Sequence, residues 1–488
     1  MPMRVHLIPP VICTLLCLWG GSVMAAETPD PFGTQAMLPL KPALRLGGAI
    51  GDPCEAQSLG HALNLLEVVN LALCNNPRTR EVWAISRVQA AQVGVSKAGY
   101  LPSVSLSASD NRTRTGTTPS VDQRSVGVTI FYLLYDFGLR AANLENARQL
   151  LAAASATQDS TVQAVFLAAV QAFYQTQATL AGLDAAMESE RAARESFAAA
   201  EARYSAGSAT PADKLQAQTA YSQATLNRIT ADGNLKNAQG TLSNMLGLDA
   251  NRNVSLAPAN TKAIPNDFEG DINALIEEAR QRRPDLQAAA AQVRAAEASA
   301  DAARAAGRAT LSLTASANRN NNAGIDSHNS MVGINLSVPI FSGYAPTYRV
   351  RAAEARTDAS NAQLEQLRLQ VALDVWTAFQ HLTTATQSLR TTADLLGSAE
   401  QSERVALGRY KAGVGSMLDV LNAQSSLANA RQQRIQSTFD WNVSRAALAQ
   451  AMGSMDTSLL HTLTDAGKPN QGAGNRQPGE NSPRKDQP

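Results

Sequence analysis

Few residues of this chain are of the types that carry out catalysis, and their spacing forms no catalytic motif. The 488 residues include five histidines and four cysteines. No histidine stands in an H-E-x-x-H spacing, and there is no G-x-S-x-G, P-loop or C-x-x-C motif. His328, in a loop between predicted strands, and His381, on a predicted long helix, are interpreted as solvated or packed side chains. The sequence predicts no enzyme, no metal site and no cofactor.

Two aspartates occupy equivalent places in a repeated motif. Arg203–Gly207 read RYSAG and Arg409–Gly413 read RYKAG, and Asp213 and Asp419 follow at the same distance. An aspartate at a helix start is ordinarily an N-cap worth about 1 kcal/mol. Three such carboxylates gathered around one axis would instead repel one another and attract cations. Both roles are open at this point, and they are compatible.

The repeated motif belongs to an internal duplication. Five identities lie 206 residues apart: Arg203 and Arg409, Tyr204 and Tyr410, Asp213 and Asp419, Leu215 and Leu421, Gln218 and Gln424. Further upstream the offset becomes 207, so one residue has been gained or lost between the copies. The sequence therefore predicts two copies of one unit of roughly 170 residues.

Each copy contains two stretches in which apolar residues alternate with Ser, Thr, Gly or Asn. They lie within about 103–134 in the first copy and within about 309–341 in the second. This period of two predicts β-hairpins whose strands are long enough to cross a bilayer when tilted. A water-soluble hairpin covering a core is the alternative. Four strands cannot close a barrel, and an open edge is costly in lipid. A trimer supplying twelve strands is the economical solution.

Helical periodicity fills the rest of each copy. A short amphipathic helix is predicted over Leu59–Leu73, and a coiled-coil seam runs through a helix from Ala141 to Tyr204, which would be about 95 Å long. Gly207 and Gly413 end the long helices, and the chain then returns antiparallel. The net charge of +1, with 17% charged residues, shows no nucleic-acid footprint.

The N-terminus carries the features of a secretory signal peptide: an apolar run from Val11 to Trp19, followed by the cleavage-site pattern Val23-Met24-Ala25. The predicted organisation is as follows: signal peptide 1–25, extended arm 26–58, first copy 59–250, linker 251–270, second copy 271–455, disordered tail 456–488. Cys54 and Cys74 remain in the exported chain. In an oxidising compartment this pair predicts a disulfide, and two unpaired buried thiols are the alternative.

The signal peptide, the duplicated unit and three motifs together resemble the TolC-like outer membrane efflux protein family. The motifs are Leu134–Gly138 (LYDFG), Pro339–Gly343 (PIFSG) and the tip from Arg409–Gly413 through Leu418–Leu421. The resemblance covers about residues 59 to 453. It implies a mainly α fold with a β-barrel: a homotrimer with a twelve-stranded outer membrane barrel and a long α-helical tunnel in the periplasm. It also implies docking, tip first, on a periplasmic adaptor and an inner-membrane ABC or other pump.

Cys54 and Cys74, with the segment Leu73–Pro77, are similar to the CyaE-like branch that serves type I protein secretion. We therefore expect an outer membrane channel for a secreted protein, with small-molecule or drug efflux as the alternative. A trimeric stalk or adhesin is a more distant alternative, because adhesins carry one anchor at one terminus whereas each copy here contains its own hairpin.

The resemblance further implies a periplasmic gate. Tyr410 fits the latch tyrosine of the family, Asp419 the first carboxylate ring, and Asp213 the aspartate that receives the latch. The second ring position holds Asn422 in place of an aspartate, and the latch arginine position holds Gly415. With these two departures from the family pattern, the resemblance does not fix how tightly the tip closes.

The resemblance also implies an adaptor contact at the tip. Gly207 and Gly413 fit the glycines against which adaptor hairpins pack. A residue without a side chain permits such a close backbone approach.

Overall fold

The computed structural model describes residues 30–38, 61–114, 116, 120–252, 254–258, 271–322 and 324–455. The signal peptide predicted at 1–25 and the tail predicted at 456–488 lie outside these residues. Of the predicted arm, 30–38 are described, and they contain a short 3-10 helix, Gln35–Met37. Of the predicted linker, residues 253 and 259–270 lie outside the description.

The described chain follows one order of elements twice: two short helices, two strands and two long helices. The first set is α1 (Leu65–Asn75), α2 (Pro77–Ala98), β1 (Ser103–Thr113), β2 (Val121–Tyr135), α3 (Leu139–Ser205) and α4 (Pro211–Met245). The second set is α5 (Ile272–Arg282), α6 (Pro284–Ala306), β3 (Thr310–Asn322), β4 (Ile325–Ser337), α7 (Ala345–Lys411) and α8 (Met417–Ala451). The copies match in length, because α3 and α7 have 67 residues each, and α4 and α8 have 35 each.

The first helix begins later than the predicted Leu59. Asn64 caps it, because its Oδ1 accepts a hydrogen bond from the Glu67 amide at 2.9 Å while the Glu67 carboxylate accepts one from the Asn64 amide at 2.8 Å. Leu63 stays extended and forms a parallel bridge with Leu256. The apolar spacing continued upstream of the cap, which is why periodicity alone placed the start too early.

The four strands form one antiparallel sheet in the order β1-β2-β3-β4. One face is apolar, with cross-strand pairs such as Val104 with Ile130 and Leu106 with Val128. The other face carries mainly Ser, Thr, Asn and Gly, with pairs such as Ser105 and Thr129, and it also includes Phe131 and Met331. The apolar side chains Val104, Leu106, Val332 and Ile334 are exposed in the single chain. A face of this kind requires an apolar surrounding to be stable.

A buried ion pair makes the corner between β2 and α3. Asp136 accepts hydrogen bonds from the backbone of Gly138 and Arg140, and from Arg140 Nε at 2.9 Å. The Arg140 guanidinium also reaches the carbonyls of Gly99 and Leu134. This arrangement explains the aspartate of the LYDFG motif, since it fixes the angle at which the long helix leaves the sheet.

The helical body is held by narrow apolar seams. The largest buried cluster joins α1 to the middle of α3 and to the ends of α4 and α8, around Phe166, Val69, Leu242 and Leu246. A second cluster joins α5, α6 and α7 around Val371. None of the helices in the described ranges has both the length and the apolar character needed to cross a bilayer.

Candidate functional site

The distal ends of the long helices turn in the same way in both copies. Gly207 and Gly413 follow the last turn of α3 and α7 with φ of +72° and +80°. The amide of Ser208 donates to the Arg203 carbonyl at 2.9 Å, and that of Val414 donates to the Arg409 carbonyl at 3.0 Å. Together with the glycine amides, these bonds form Schellman motifs. The positive φ strongly favours glycine, while a Cβ at either position would meet no atom of this chain within 4 Å.

The two aspartates lie at the third position of the returning helices, and Thr210 and Ser416 are the N-caps. The Asp213 carboxylate accepts from the Thr210 amide at 3.0 Å, and the Asp419 carboxylate accepts from the Ser416 amide at 3.2 Å. The cap hydroxyls accept from the aspartate amides in return. The N-caps are therefore Thr210 and Ser416 and not the aspartates. Each aspartate is the N3 residue of a capping box, in which its carboxylate accepts from the amide of the N-cap residue.

The Asp419 carboxylate is fully exposed and stays ionised. Side-chain and backbone hydrogen bonds from Ser416, and then the positive charge of Arg409, lower its pKa from 3.8. Asp419 lines a groove of about 850 Å³ between α7 and α8, together with Asn422 and Arg409. An ionised, accessible carboxylate can bind a cation, and the neutral Asn422 adds no charge beside it.

The hydrogen bond predicted between Tyr410 and Asp213 is not made in this structure. Tyr410 is only 7% exposed, and its hydroxyl has no hydrogen-bond partner among the described residues. The Asp213 carboxylate is occupied by the amide and hydroxyl of Thr210. The gate roles of Tyr410, Asp213, Asp419 and Asn422 remain predictions for the assembled protein.

Arg203 makes the contact between the two copies at the tip. Its guanidinium lies 4.3 Å from the centroid of the Tyr410 ring. Its Nη2 donates to the carbonyls of Tyr410 at 2.9 Å and Lys411 at 3.3 Å, at the C-terminal end of α7. A cation there complements the helix dipole, and it gives the Tyr410 carbonyl a second donor beside the Gly413 amide. No sequence pattern assigns a role to Arg203; its repetition as Arg409 is the available signal.

Gly415, which stands at the latch arginine position, packs tightly on the end of α7. A Cβ at this position would lie 3.0 Å from the Tyr410 nitrogen and 3.1 Å from the Arg409 Cβ. Any side chain there would require the turn to shift. The absence of the arginine is therefore coupled to a close packing of this turn.

Two further predicted sites fall partly inside the description. Cys74, in the last turn of α1, is disulfide-bonded. Cys54 lies outside the described residues, so the pairing of Cys54 with Cys74 stays a prediction. Among the described residues, no group of three His, Cys, Asp or Glu side chains is placed to hold a metal ion.

Two matching helical hairpins, each carried on a β-hairpin with an apolar outer face, define a channel component of the bacterial outer membrane. The family model described as Outer membrane efflux protein matches residues 68–248 and 275–454, once in each copy. The chain belongs to this family. Its members are trimeric channels, not enzymes, and they work with a periplasmic adaptor and an inner-membrane pump.

Relatives and solved structures agree with this assignment. Protein CyaE of Bordetella pertussis is 32% identical over 91% of this chain and 96% of its own length. The solvent efflux pump outer membrane protein SrpC of Pseudomonas putida is 28% identical over 90% of this chain and 96% of its own. The outer-membrane channel OprN matches with a TM-score of 0.72 at 22% identity, covering 80% of this chain and 90% of that one.

These findings confirm the predicted fold class and the location. The protein is an outer membrane efflux channel of a tripartite system, with its barrel in the outer membrane and its helices forming a tunnel in the periplasm. The family rules out the stalk and adhesin alternatives, because the embedded hairpins of both copies contribute to one barrel.

Proposed function

We propose that this chain is the outer membrane channel of a type I protein secretion system. It would receive a polypeptide from an inner-membrane ABC transporter through a periplasmic adaptor and release it outside the cell. The observation that carries this proposal is the similarity to CyaE, which extends over nearly the whole of both chains. The same branch is the one that the Cys54 and Cys74 segment resembles.

The polar face of the sheet supports this cargo. No Asp, Glu, Lys, Arg or His occurs on the face that contains Ser105 and Thr129, over the described strand residues. The ion pairs of the strands, such as Arg124 with Asp110 at 3.3 Å, lie on the opposite face near the hairpin loops. A lumen lined mainly by Ser, Thr, Asn and Gly, with a few apolar side chains such as Phe131 and Met331, carries no charge that would hold or repel a polypeptide with charges of both signs.

Small-molecule efflux is the second candidate. SrpC, described as part of a solvent efflux pump, matches over the same share of both chains at 28% identity. A neutral lumen would also pass small organic molecules. The two candidates differ in the pump that supplies the channel and therefore in the cargo. Identifying the cargo distinguishes them.

A deletion of the gene in its native host tests the cargo directly. We expect one or a few large polypeptides without an N-terminal signal peptide to disappear from the culture supernatant, measured by quantitative mass spectrometry. Sensitivity to solvents, dyes and detergents should stay unchanged, and the wild-type gene supplied on a plasmid should restore secretion. An unchanged set of secreted proteins with increased sensitivity to these compounds would refute protein secretion and favour small-molecule efflux.

A further inference from the structure

The tip of the first copy covers the tip of the second within one chain. Tyr410 and Val420 are buried in a cluster that includes Ala200 and Ala217 of the first copy. Arg203 closes this cluster from above, over the Tyr410 ring and the last carbonyls of α7. Three first-copy residues, Ala200, Arg203 and Ala217, thus provide the covering surface.

The equivalent residues of the first copy are uncovered. Tyr204 is 42% exposed, whereas its counterpart Tyr410 is 7% exposed. Leu215 is 60% exposed, while its counterpart Leu421 packs against the buried cluster. The same motif is therefore satisfied in one copy and open in the other.

The equivalent residues of the second copy line an open groove. Adding 206 to Ala200, Arg203 and Ala217 gives Ala406, Arg409 and Ala423. All three line the groove of about 850 Å³ between α7 and α8, where Arg409 is exposed, Ala406 is half-buried and Ala423 is buried. Each chain therefore carries one covering surface without a tip to cover, and one tip without a cover.

We propose that Arg409 of one subunit covers the first-copy tip of the neighbouring subunit. The guanidinium would lie over the Tyr204 ring and donate to the carbonyls of Tyr204 and Ser205, the counterparts of Tyr410 and Lys411. In the trimer, six tips would then alternate three contacts within chains and three between chains. A second copy of this chain is the occupant because it presents the same motif that the equivalent surface already binds.

The local charges are compatible with this contact. Lys214 stands where the second copy has Val420, and its Nζ lies 5.6 Å from the centroid of the Tyr204 ring. The Lys214 Nζ is paired with the Glu201 carboxylate at 3.0 Å. The charge of Lys214 is thus compensated by Glu201. The guanidinium of Arg409 from the neighbouring subunit can therefore approach the Tyr204 ring without meeting an unpaired positive charge.

Cysteine cross-linking of the full-length protein in isolated outer membranes tests the contact. Arg203→Cys with Tyr410→Cys is the matched intrachain pair, and Arg409→Cys with Tyr204→Cys is the proposed interchain pair. A short bismaleimide should consume both thiols of the intrachain pair and leave the protein at the mass of a monomer on denaturing gels. The same reagent should convert the interchain pair into covalent dimers and trimers. The single variants and the wild-type protein should give no such product.

The proposal is overturned if the interchain pair stays monomeric in a variant that forms trimers, under conditions in which the intrachain pair reacts. It is also overturned if both thiols of the second pair are consumed within one chain. Should the Arg409→Cys and Tyr204→Cys variant fail to assemble, Ala406→Cys with Leu215→Cys probes the same contact. This second pair corresponds to Ala200 with Leu421, which the same cluster brings together. The outcome is independent of the cargo.

Discussion

Asp419 is bonded to the start of its own helix, yet its carboxylate remains exposed and charged. The capping box uses one oxygen to accept from the Ser416 amide. A carboxylate has about four acceptor positions, so the remaining ones can face solvent or a cation. The same residue type can therefore stabilise the tip of each hairpin and still contribute a ring of charge where three chains meet.

Replacing Asp419 by Asn should remove the binding of divalent cations at the tip. We expect millimolar divalent cation on the tip side to block the wild-type channel in a planar bilayer and to leave the Asp419→Asn channel open. Asp213→Asn is the comparison variant, since it alters the same type of capping box in the other copy. If Asp213 receives the latch, this channel opens more readily but keeps the Asp419 ring, so divalent cation should still block it. Block that persists in an intact Asp419→Asn trimer would exclude Asp419 from the constriction.

The pH dependence of this block follows from the direction of the pKa shift. Hydrogen bonds from Ser416 lower the Asp419 pKa below 3.8, so the carboxylate stays ionised as the solution is acidified from neutral pH. In a ring of three, the carboxylates also repel one another, which raises their pKa. The block should therefore be constant near neutral pH and weaken as acidification protonates the ring. Block that is unchanged below about pH 3, where the carboxylates are protonated, would contradict a role of Asp419.

At the scale of the elements, local pattern determined most of what could be predicted. The change of period from 3.6 to 2 at Pro102 placed the first strand correctly, because strand alternation is visible in a few residues. The start of α1 was misplaced, because Asn64 interrupts a continuing apolar spacing with a capping box. Caps depend on side-chain hydrogen bonds, which hydrophobic spacing does not report.

The turn at Gly413 offers a test that separates backbone conformation from the missing side chain. Gly413→Ala places a Cβ on a residue with φ of +80°, which costs about 1–2 kcal/mol, so amides of the tip should exchange roughly tenfold faster with deuterium. Gly408→Ala is the control, because Gly408 lies inside α7 with open space around it, and alanine should stabilise that helix slightly. Equal exchange in the two variants would contradict the turn requirement.

Gly413→Asn then addresses the predicted adaptor contact. Asparagine tolerates the left-handed conformation better than alanine, so the turn should persist while a side chain projects from the tip. We expect trimers of normal stability whose transport in cells falls, and Gly207→Asn should act in the same way. Normal transport with both substitutions would argue that the adaptor does not approach these glycines closely.

Contacts between the two copies were not predictable from the sequence. Arg203 and Tyr410 are separated by more than two hundred residues, and no local pattern reports that the α3 tip lies against the end of α7. The duplication identified both arginines but could not show which tip each one covers. The resemblance likewise supplied a latch between Tyr410 and Asp213, which the structure of the chain does not contain.

The predicted disulfide between Cys54 and Cys74 would attach the N-terminal arm to α1. The loop it closes has about twenty residues, for which chain-entropy arguments give about 3 kcal/mol. Without reductant, neither cysteine should react with a maleimide under denaturing conditions, while Cys54→Ser should expose the Cys74 thiol and lower the dissociation temperature of the trimer. If Cys74 stays unreactive in Cys54→Ser, its partner is a different cysteine.

Because α3 and α7 are equal in length, as are α4 and α8, all six hairpins of a trimer can end at one level. A heptad inserted into both helices of the first copy alone would raise three of the six ends by about 10 Å. The six hairpin tips would then alternate between two levels. An adaptor ring that binds tips at a single level would contact only every second hairpin. The two copies have thus diverged in sequence while keeping the same helix lengths. The tunnel can be lengthened only by lengthening the helices of both copies.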